Sequence, residues 1–217
     1  MENKYPQCGS DEVGTGDTFG PVVVACALLE EKDLELINKL NIRDSKELTD
    51  SQIEYIASRL IKQVKYSYCI LKNDKYNKVH EKYNLNAIKA ILHNEVYLKL
   101  ETKYKLPKLC VVDKFCTKDL YYGYLESIKK IKRDLKFETK AENQYPSVAV
   151  ASIIARYYFI KEMSKLSSKY NIELAKGSSN PILNKQLKEI IKTYGKDELK
   201  NVAKLHFKNV KSILSSN

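Results

Sequence analysis

Short apolar runs and longer helical stripes alternate along this chain, and their order predicts most of its elements. Residues 5–10 and 19–29 are strand-like, and the second carries the unbroken run Val22-Val23-Val24-Ala25-Cys26-Ala27-Leu28-Leu29. The first is expected to end at Asp11. The connection between them holds Gly14 and Gly16, which permit positive φ and close approach of a ligand, so an antiparallel, hairpin-like pair is expected. Residues 30–40 are charged with a helical tendency. Thr49 and Gln52 then have the spacing of a capping box, ahead of Ile53, Ile56, Ala57, Leu60, Ile61 and Val64 at helical intervals. Residues 64–71 read as a strand, and 72–83 as a loop or irregular helix. Asn84 is placed to cap a helix whose inner face holds Leu85, Ile88, Ile91, Leu92 and Val96.

Pro107 ends that helix, and residues 108–113 form a short buried strand with Asp113 at its C-terminal end. Strand, helix and strand in this order predict a crossover and parallel pairing. A helix is expected over 121–131 and a strand over 135–140. A long helix begins at Pro146 and runs to about residue 166, with a small apolar face of Val148, Ala149, Ala151, Ser152, Ile153 and Ala155. The loop at 175–181 is the best boundary within the chain. Helical segments follow over 182–191 and 199–214, broken at Gly195. The expected organisation is a domain over 1–175 with a basic helical extension, 176–217, packed on it.

Composition narrows the class. A chain of 217 residues with 43% apolar and 30% charged residues is a globular protein rather than a disordered one. No apolar run is long enough to span a bilayer, and residues 1–6 lack the pattern of a secretory signal, so a cytoplasmic protein is expected. Five cysteines without a Cys-x-x-Cys pair predict buried free thiols. The three scattered histidines predict structural or surface roles. The net charge of +11 is uneven: residues 1–108 carry 17 Lys/Arg against 16 Asp/Glu, and residues 109–217 carry 21 against 11. A basic half fits a polyanion, nucleic acid ahead of membrane, or simply a lysine-rich composition.

The chemistry gathers in carboxylates. Asp11 and Glu12 close the first strand, Asp113 closes another, and Glu142 lies between a strand and a helix. Two-metal phosphodiester hydrolysis needs several carboxylates converging from separate elements, and hard cations take oxygen ligands. Other readings stand beside this one: a solvated Gly-rich turn for Asp11 and Glu12, an Asp113–Lys114 surface ion pair, and helix N-terminal electrostatics for Glu142. Adjacent strand residues point to opposite faces, so Glu12 joins Asp11 only if the chain bends.

The run Gly9-Ser10-Asp11-Glu12-Val13-Gly14-Thr15-Gly16-Asp17-Thr18-Phe19-Gly20-Pro21 resembles the opening signature of bacterial ribonuclease HIII, a type 2 ribonuclease H. Asp44-Ser45-Lys46-Glu47-Leu48, Val111-Val112-Asp113-Lys114-Phe115, Thr139-Lys140-Ala141-Glu142, Val148 to Arg156 and Lys204-Leu205-His206-Phe207 resemble later segments of that family in order. The resemblance implies an α/β, ribonuclease H-like fold: a central mixed five-stranded sheet flanked by helices, with a C-terminal helical extension. It implies endonucleolytic cleavage of the RNA strand of RNA–DNA hybrids, leaving 5′-phosphate and 3′-hydroxyl ends. Asp11, Glu12, Asp113 and Glu142 would be the catalytic residues and ligate two divalent cations, Mg²⁺ or Mn²⁺. Gly14, Thr15 and Gly16 would face the ribose 2′-hydroxyls, which distinguish RNA from DNA. Lys46 would lie near the scissile phosphate, and Ser152 and Arg156 would support the ligands or the substrate backbone, or simply pack their helix.

The family's usual N-terminal hybrid-gripping domain is expected to be absent, with the basic C-terminal half compensating, and the protein is expected to be a monomer. Thr18 and Lys114 stand where the family usually has Tyr and Gln. Thr15 stands where the related ribonuclease HII has Arg, which favours hybrid cleavage. Incision at single ribonucleotides and a non-catalytic hybrid-binding module are the alternatives.

Overall fold

The computed structural model describes residues 5–42 and 48–215. The strands are β1 (Gln7–Val13), β2 (Val22–Leu29), β3 (Lys65–Leu71), β4 (Cys110–Asp113) and β5 (Lys136–Glu138), in sheet order β3-β2-β1-β4-β5. β1 and β2 are antiparallel, with Gln7 opposite Leu29 and Val13 opposite Val23. β4 runs parallel to both β1 and β5. The expected mixed five-stranded sheet is therefore present. All eight residues of β2 are buried, so its unbroken apolar run belongs to a strand covered on both faces. β1 does not end at Asp11. It continues to Val13, which places Asp11 and Glu12 within the paired strand.

The helices of the first two-thirds are α1 (Leu34–Lys39), α2 (Asp50–Gln63), α3 (Asn73–His80), α4 (Leu85–Glu101) and α5 (Lys118–Gly123). The capping box of α2 is formed, Gln52 N donating to Thr49 Oγ1 at 3.3 Å and Thr49 N to Gln52 Oε1 at 2.8 Å. Ala87 N likewise donates to Asn84 Oδ1 at 2.9 Å at the start of α4. The segment read as loop or irregular helix is the regular α3. The helix expected over 121–131 is cut short at Gly123. Beyond it the main chain finds tertiary partners instead: Asn94 Nδ2 donates to Lys130 O at 2.9 Å and Asn94 Oδ1 accepts from Lys132 N at 2.8 Å. Those bonds satisfy backbone groups that a helix would otherwise have paired internally.

α6 (Pro146–Tyr170) is followed by α7 (Leu183–Tyr194), α8 (Leu199–Val202) and α9 (Lys208–Ser215). The single helix expected over 199–214 is thus broken. Ala203 is extended and bridges Phe19 antiparallel, and Lys204 N donates to Thr18 O at 2.9 Å. Long-range pairing has overridden local helical preference.

The chain forms two compact units that are discontinuous in sequence. One comprises Met1–Val13, Val23–Cys69 and Asn84–Tyr157; the other comprises Gly14–Val22, Ile70–Tyr83 and Tyr158–Asn217. Residues 176–217 therefore cluster with two earlier segments as well as with the end of α6. In the first unit, alternation along β1 decides what packs where. Gly9 faces α6 so closely that an added Cβ would lie 2.6 Å from Val148 and 2.7 Å from Ser147 Oγ. Ser10 faces α4, its Oγ 2.8 Å from His93 Nδ1. The strand is held between two helices, and each face delivers one of the two adjacent carboxylates.

Candidate active site

Parallel pairing of β4 with β1 brings the C-terminal ends of both strands to the same end of the sheet, where α/β proteins place their ligands. One step past the Ser10–Val112 pair come Asp11 and Asp113. They lie on the face that packs against α6. β5 ends beside Asp113, which pairs with Glu138. The chain then turns through Lys140, in the left-handed region at φ 53°, into a short 3-10 helix over Ala141–Asn143. Ala141 N donates to Asp113 Oδ1 at 2.9 Å, and that bond fixes the turn that carries the buried Glu142. Asp11, Glu12, Val13, Asp113, Glu142, Ser152 and Arg156 together line one open cavity of about 400 Å³.

The four carboxylates are not equivalent. Burial, then the charges of Glu12 and Asp113, push the Asp11 carboxyl up to about 8; hydrogen bonds from the Ser152 side chain and the Glu12 main chain (Glu12 N to Asp11 Oδ1, 2.7 Å) oppose the shift. Glu12 is also largely withdrawn from solvent, which works against its charge, but His93 and Lys89 outweigh that and hold it below the usual carboxylate range. His93 Nε2 lies 2.9 Å from Glu12 Oε2, and Lys89 forms an ion pair with Glu12 Oε1. His93 also contacts Ser10, so residues 10 and 12 of one strand face meet a single imidazole. The Lys89 ammonium sits 4.1 Å above the Phe115 ring, a favourable site for a cation.

Lys89 and His93 are partners of the candidate carboxylate Glu12 that sequence reasoning missed; His93 read as structural or surface. The available signal was their spacing of four on a helix whose inner face includes Ile88, Leu92 and Val96. A Lys and a His on that stripe require a buried partner. The expected bend that would bring Glu12 round to Asp11 is not how β1 solves the problem. Alternation is kept, and the two side chains reach the cavity from opposite faces.

Arg156 Nη2 donates to Leu48 O at 2.8 Å and lies 3.4 Å from Asp50 Oδ1, at the start of α2. Lys46 lies outside the described residues. Gly14, Thr15 and Gly16 belong to the second unit and behave differently from one another. Gly14 has φ +91°, and a Cβ there would collide with Pro21 O and lie 2.9 Å from the Phe159 ring. Gly16 is exposed, is not in the positive-φ region, and an added Cβ would meet nothing within 4 Å. Fold geometry therefore explains the first glycine and leaves the second without a structural reason.

The donor set suits a hard cation, since every acidic group lining the cavity offers carboxylate oxygens. Crowding of Asp11 with Asp113 and Glu12 is a like-charge strain that a cation relieves. Among the described residues, no three His, Cys, Asp or Glu side chains are already grouped to hold an ion. The carboxylates share a cavity without being drawn together into a cage.

Comparison with known proteins shows the family. The sequence pattern of the ribonuclease HII family matches residues 8–210. This chain belongs to that family. Within the ribonuclease HII family it is similar to members named ribonuclease HIII: it is 43% identical over 207 residues to that of Phytoplasma mali (strain AT), covering 95% of this chain and 72% of the relative. The ribonuclease HIII of Bacillus licheniformis is 44% identical over 204 residues, 93% of this chain, which spans 65% of the relative's length. The crystal structure of Bst-RNase HIII in complex with Mn²⁺ superposes with a TM-score of 0.92 at 38% identity, covering 97% of this chain and 69% of that one.

Proposed function

We propose that this chain is a metal-dependent endoribonuclease that cuts the RNA strand of RNA–DNA hybrids, leaving 5′-phosphate and 3′-hydroxyl ends. The observation that carries the reading is the gathering of Asp11, Glu12, Asp113 and Glu142 around one open cavity at the C-terminal end of the sheet. The Mn²⁺ complex of Bst-RNase HIII supports the choice of cation. Two divalent cations, Mg²⁺ or Mn²⁺, would be held by these four carboxylates and would supply an activated water and charge stabilisation at the phosphate.

The protein's own contribution is orientation and charge. Ser152 steadies Asp11 through its side-chain hydrogen bond. Asp113 fixes the turn before Glu142. Lys89 and His93 keep Glu12 ionised inside the fold. Arg156, on the cavity wall, and Lys46 meet the phosphate backbone, and the peptide groups of Gly14-Thr15-Gly16 meet the ribose. The extension over 176–217 adds a basic surface to the catalytic domain of 1–175. The protein acts as a cytoplasmic monomer; its free thiols, among them Cys8 and Cys26 with Sγ atoms 3.3 Å apart, suit a reducing compartment.

The deciding experiment compares a long hybrid with a duplex carrying one ribonucleotide, each in Mg²⁺, Mn²⁺ and EDTA. Cleavage of the hybrid with either cation and none in EDTA is expected. Preferential incision at the single ribonucleotide would shift the assignment to ribonuclease HII-type activity, and metal-independent binding without cleavage would leave a hybrid-binding module.

A further inference from the structure

Lys204 is fully buried in the second unit, yet among the described residues no acidic side chain forms an ion pair with its ammonium. Its Nζ donates to two main-chain carbonyls, Asp17 O at 2.8 Å and Gly20 O at 2.6 Å. Burying a lysine is costly, and an apolar side chain of similar volume often serves stability equally well or better. The cost here goes into the main chain of one short segment. That segment is bonded from several directions. Lys204 N donates to Thr18 O at 2.9 Å, Gly20 N to Val202 O at 3.1 Å and Thr18 N to Gly177 O at 3.0 Å. Asn73 Nδ2 donates to Gly20 O at 2.9 Å, Gly177 N to Asp17 Oδ1 at 2.6 Å, and Asn209 Nδ2 to Thr18 Oγ1 at 3.2 Å. The residue immediately before it is Gly16, exposed and without a structural reason to be glycine.

We propose that Lys204 is a positioning residue: it fixes the main chain of residues 17–20 so that Gly16 presents its peptide groups to the ribose edge of the hybrid. This rests on the reading that Gly14-Thr15-Gly16 contacts ribose. It gives the helix break at 203–207 a purpose, because an uninterrupted helix would carry Lys204 without extending the chain to pair with Thr18. It also accounts for Thr18. The threonine is wholly buried and its hydroxyl is bonded to Asn209, so it serves as a fixing point for the loop from within.

The test uses the full chain with Lys204→Met, Thr18→Val and Gly16→Ala. Folding is followed by circular dichroism and urea midpoint. Function is read as kcat and KM on a hybrid, and as the ratio of hybrid to DNA-duplex affinity in EDTA. For folded Lys204→Met, KM rises about tenfold, the size of one missing hydrogen-bonding interaction, kcat stays within about twofold, and the affinity ratio falls. Thr18→Val, which removes one bond at constant shape, shows the same split at smaller size and decides the matter if Lys204→Met does not fold. The proposal is overturned if the folded variants keep the parental KM and affinity ratio, or if they lose stability and kcat with the ratio intact. Gly16→Ala separates the two layers of argument. If it leaves KM and the ratio unchanged, the ribose-contact reading fails and the proposal with it. If it raises KM while the folded Lys204 and Thr18 variants do not, the proposal alone fails.

Discussion

Asp11 and Glu12 are neighbours in sequence with opposite electrostatic environments. Asp11 is crowded by other carboxylates, whereas Glu12 is compensated by Lys89 and His93. Asp11→Asn removes a proposed ligand and one crowded charge. Hybrid cleavage is therefore expected to be abolished, while the urea midpoint in EDTA stays at the parental value or rises. Near-parental turnover would remove Asp11 from the site. Lys89→Met leaves the Glu12 carboxylate with His93 alone. A stability loss of about 3 kcal/mol is expected, in the range for breaking a buried pair from one side, and chemical denaturation measures it. The candidate carboxylates were legible in the sequence because acidic residues beside short apolar runs stand out, and the family motifs carry them. Their partners were not, because a helical Lys and His acquire meaning only when β1 is placed opposite α4.

At the scale of elements, the packing of β1 against α6 sets the site. Gly9 lies two residues before Asp11 on the same face, and a Cβ there would press into Val148 and Ser147 at 2.6–2.7 Å. Gly9→Ala is expected to push α6 away from the strand and cost about 1–3 kcal/mol, as overpacking does. It should also lower hybrid cleavage, because Ser152 on α6 steadies Asp11. Urea unfolding and turnover measured on the same sample test both consequences. Where elements rest on local chemistry, the sequence located them well: the Thr49–Gln52 capping box and the Asn84 cap both form. Where tertiary bonds compete with local preference, it did not. The 121–131 helix gives way to bonds from Asn94, and the 199–214 helix breaks where Ala203 pairs with Phe19.

At the scale of the whole molecule, buried titratable groups shape the response to pH. Burial lowers the Lys204 ammonium to about 7 from 10.5, with Asp17 partly opposing. Between those values the unfolded chain holds a proton that the folded chain has released, so stability rises with pH across that window. Burial raises the Cys8, Cys26 and Cys69 thiols above 9.0. There the unfolded chain loses protons that the folded chain keeps, so stability falls as pH rises past about 9. Asp11, pushed up to about 8, opposes that rise until it ionises in the folded chain, so the urea midpoint should climb only above about pH 8, peak near about pH 9 and decline beyond it. Lys204→Met should flatten the climb and leave the decline. The net charge of +11 predicts a second global property. Lys185, Lys188 and Lys192 are exposed on α7. Replacing all three with glutamine should weaken hybrid binding, and every phosphate left unneutralised should reduce the slope of log K against log salt by about 0.9. An unchanged slope would show that α7 does not meet the phosphate backbone.

By itself, the sequence carried the family, most of the sheet-and-helix order and the four candidate carboxylates. The family is written in the resemblance of its motifs, and the elements in apolar periodicity and capping residues. Only the tertiary structure decided that Glu12 is held by Lys89 and His93, that Gly14 is a packing necessity while Gly16 is not, and that Lys204 grips the segment after Gly16. Each of those facts joins residues distant in sequence, through hydrogen bonds and close approaches that exist only once the chain has folded.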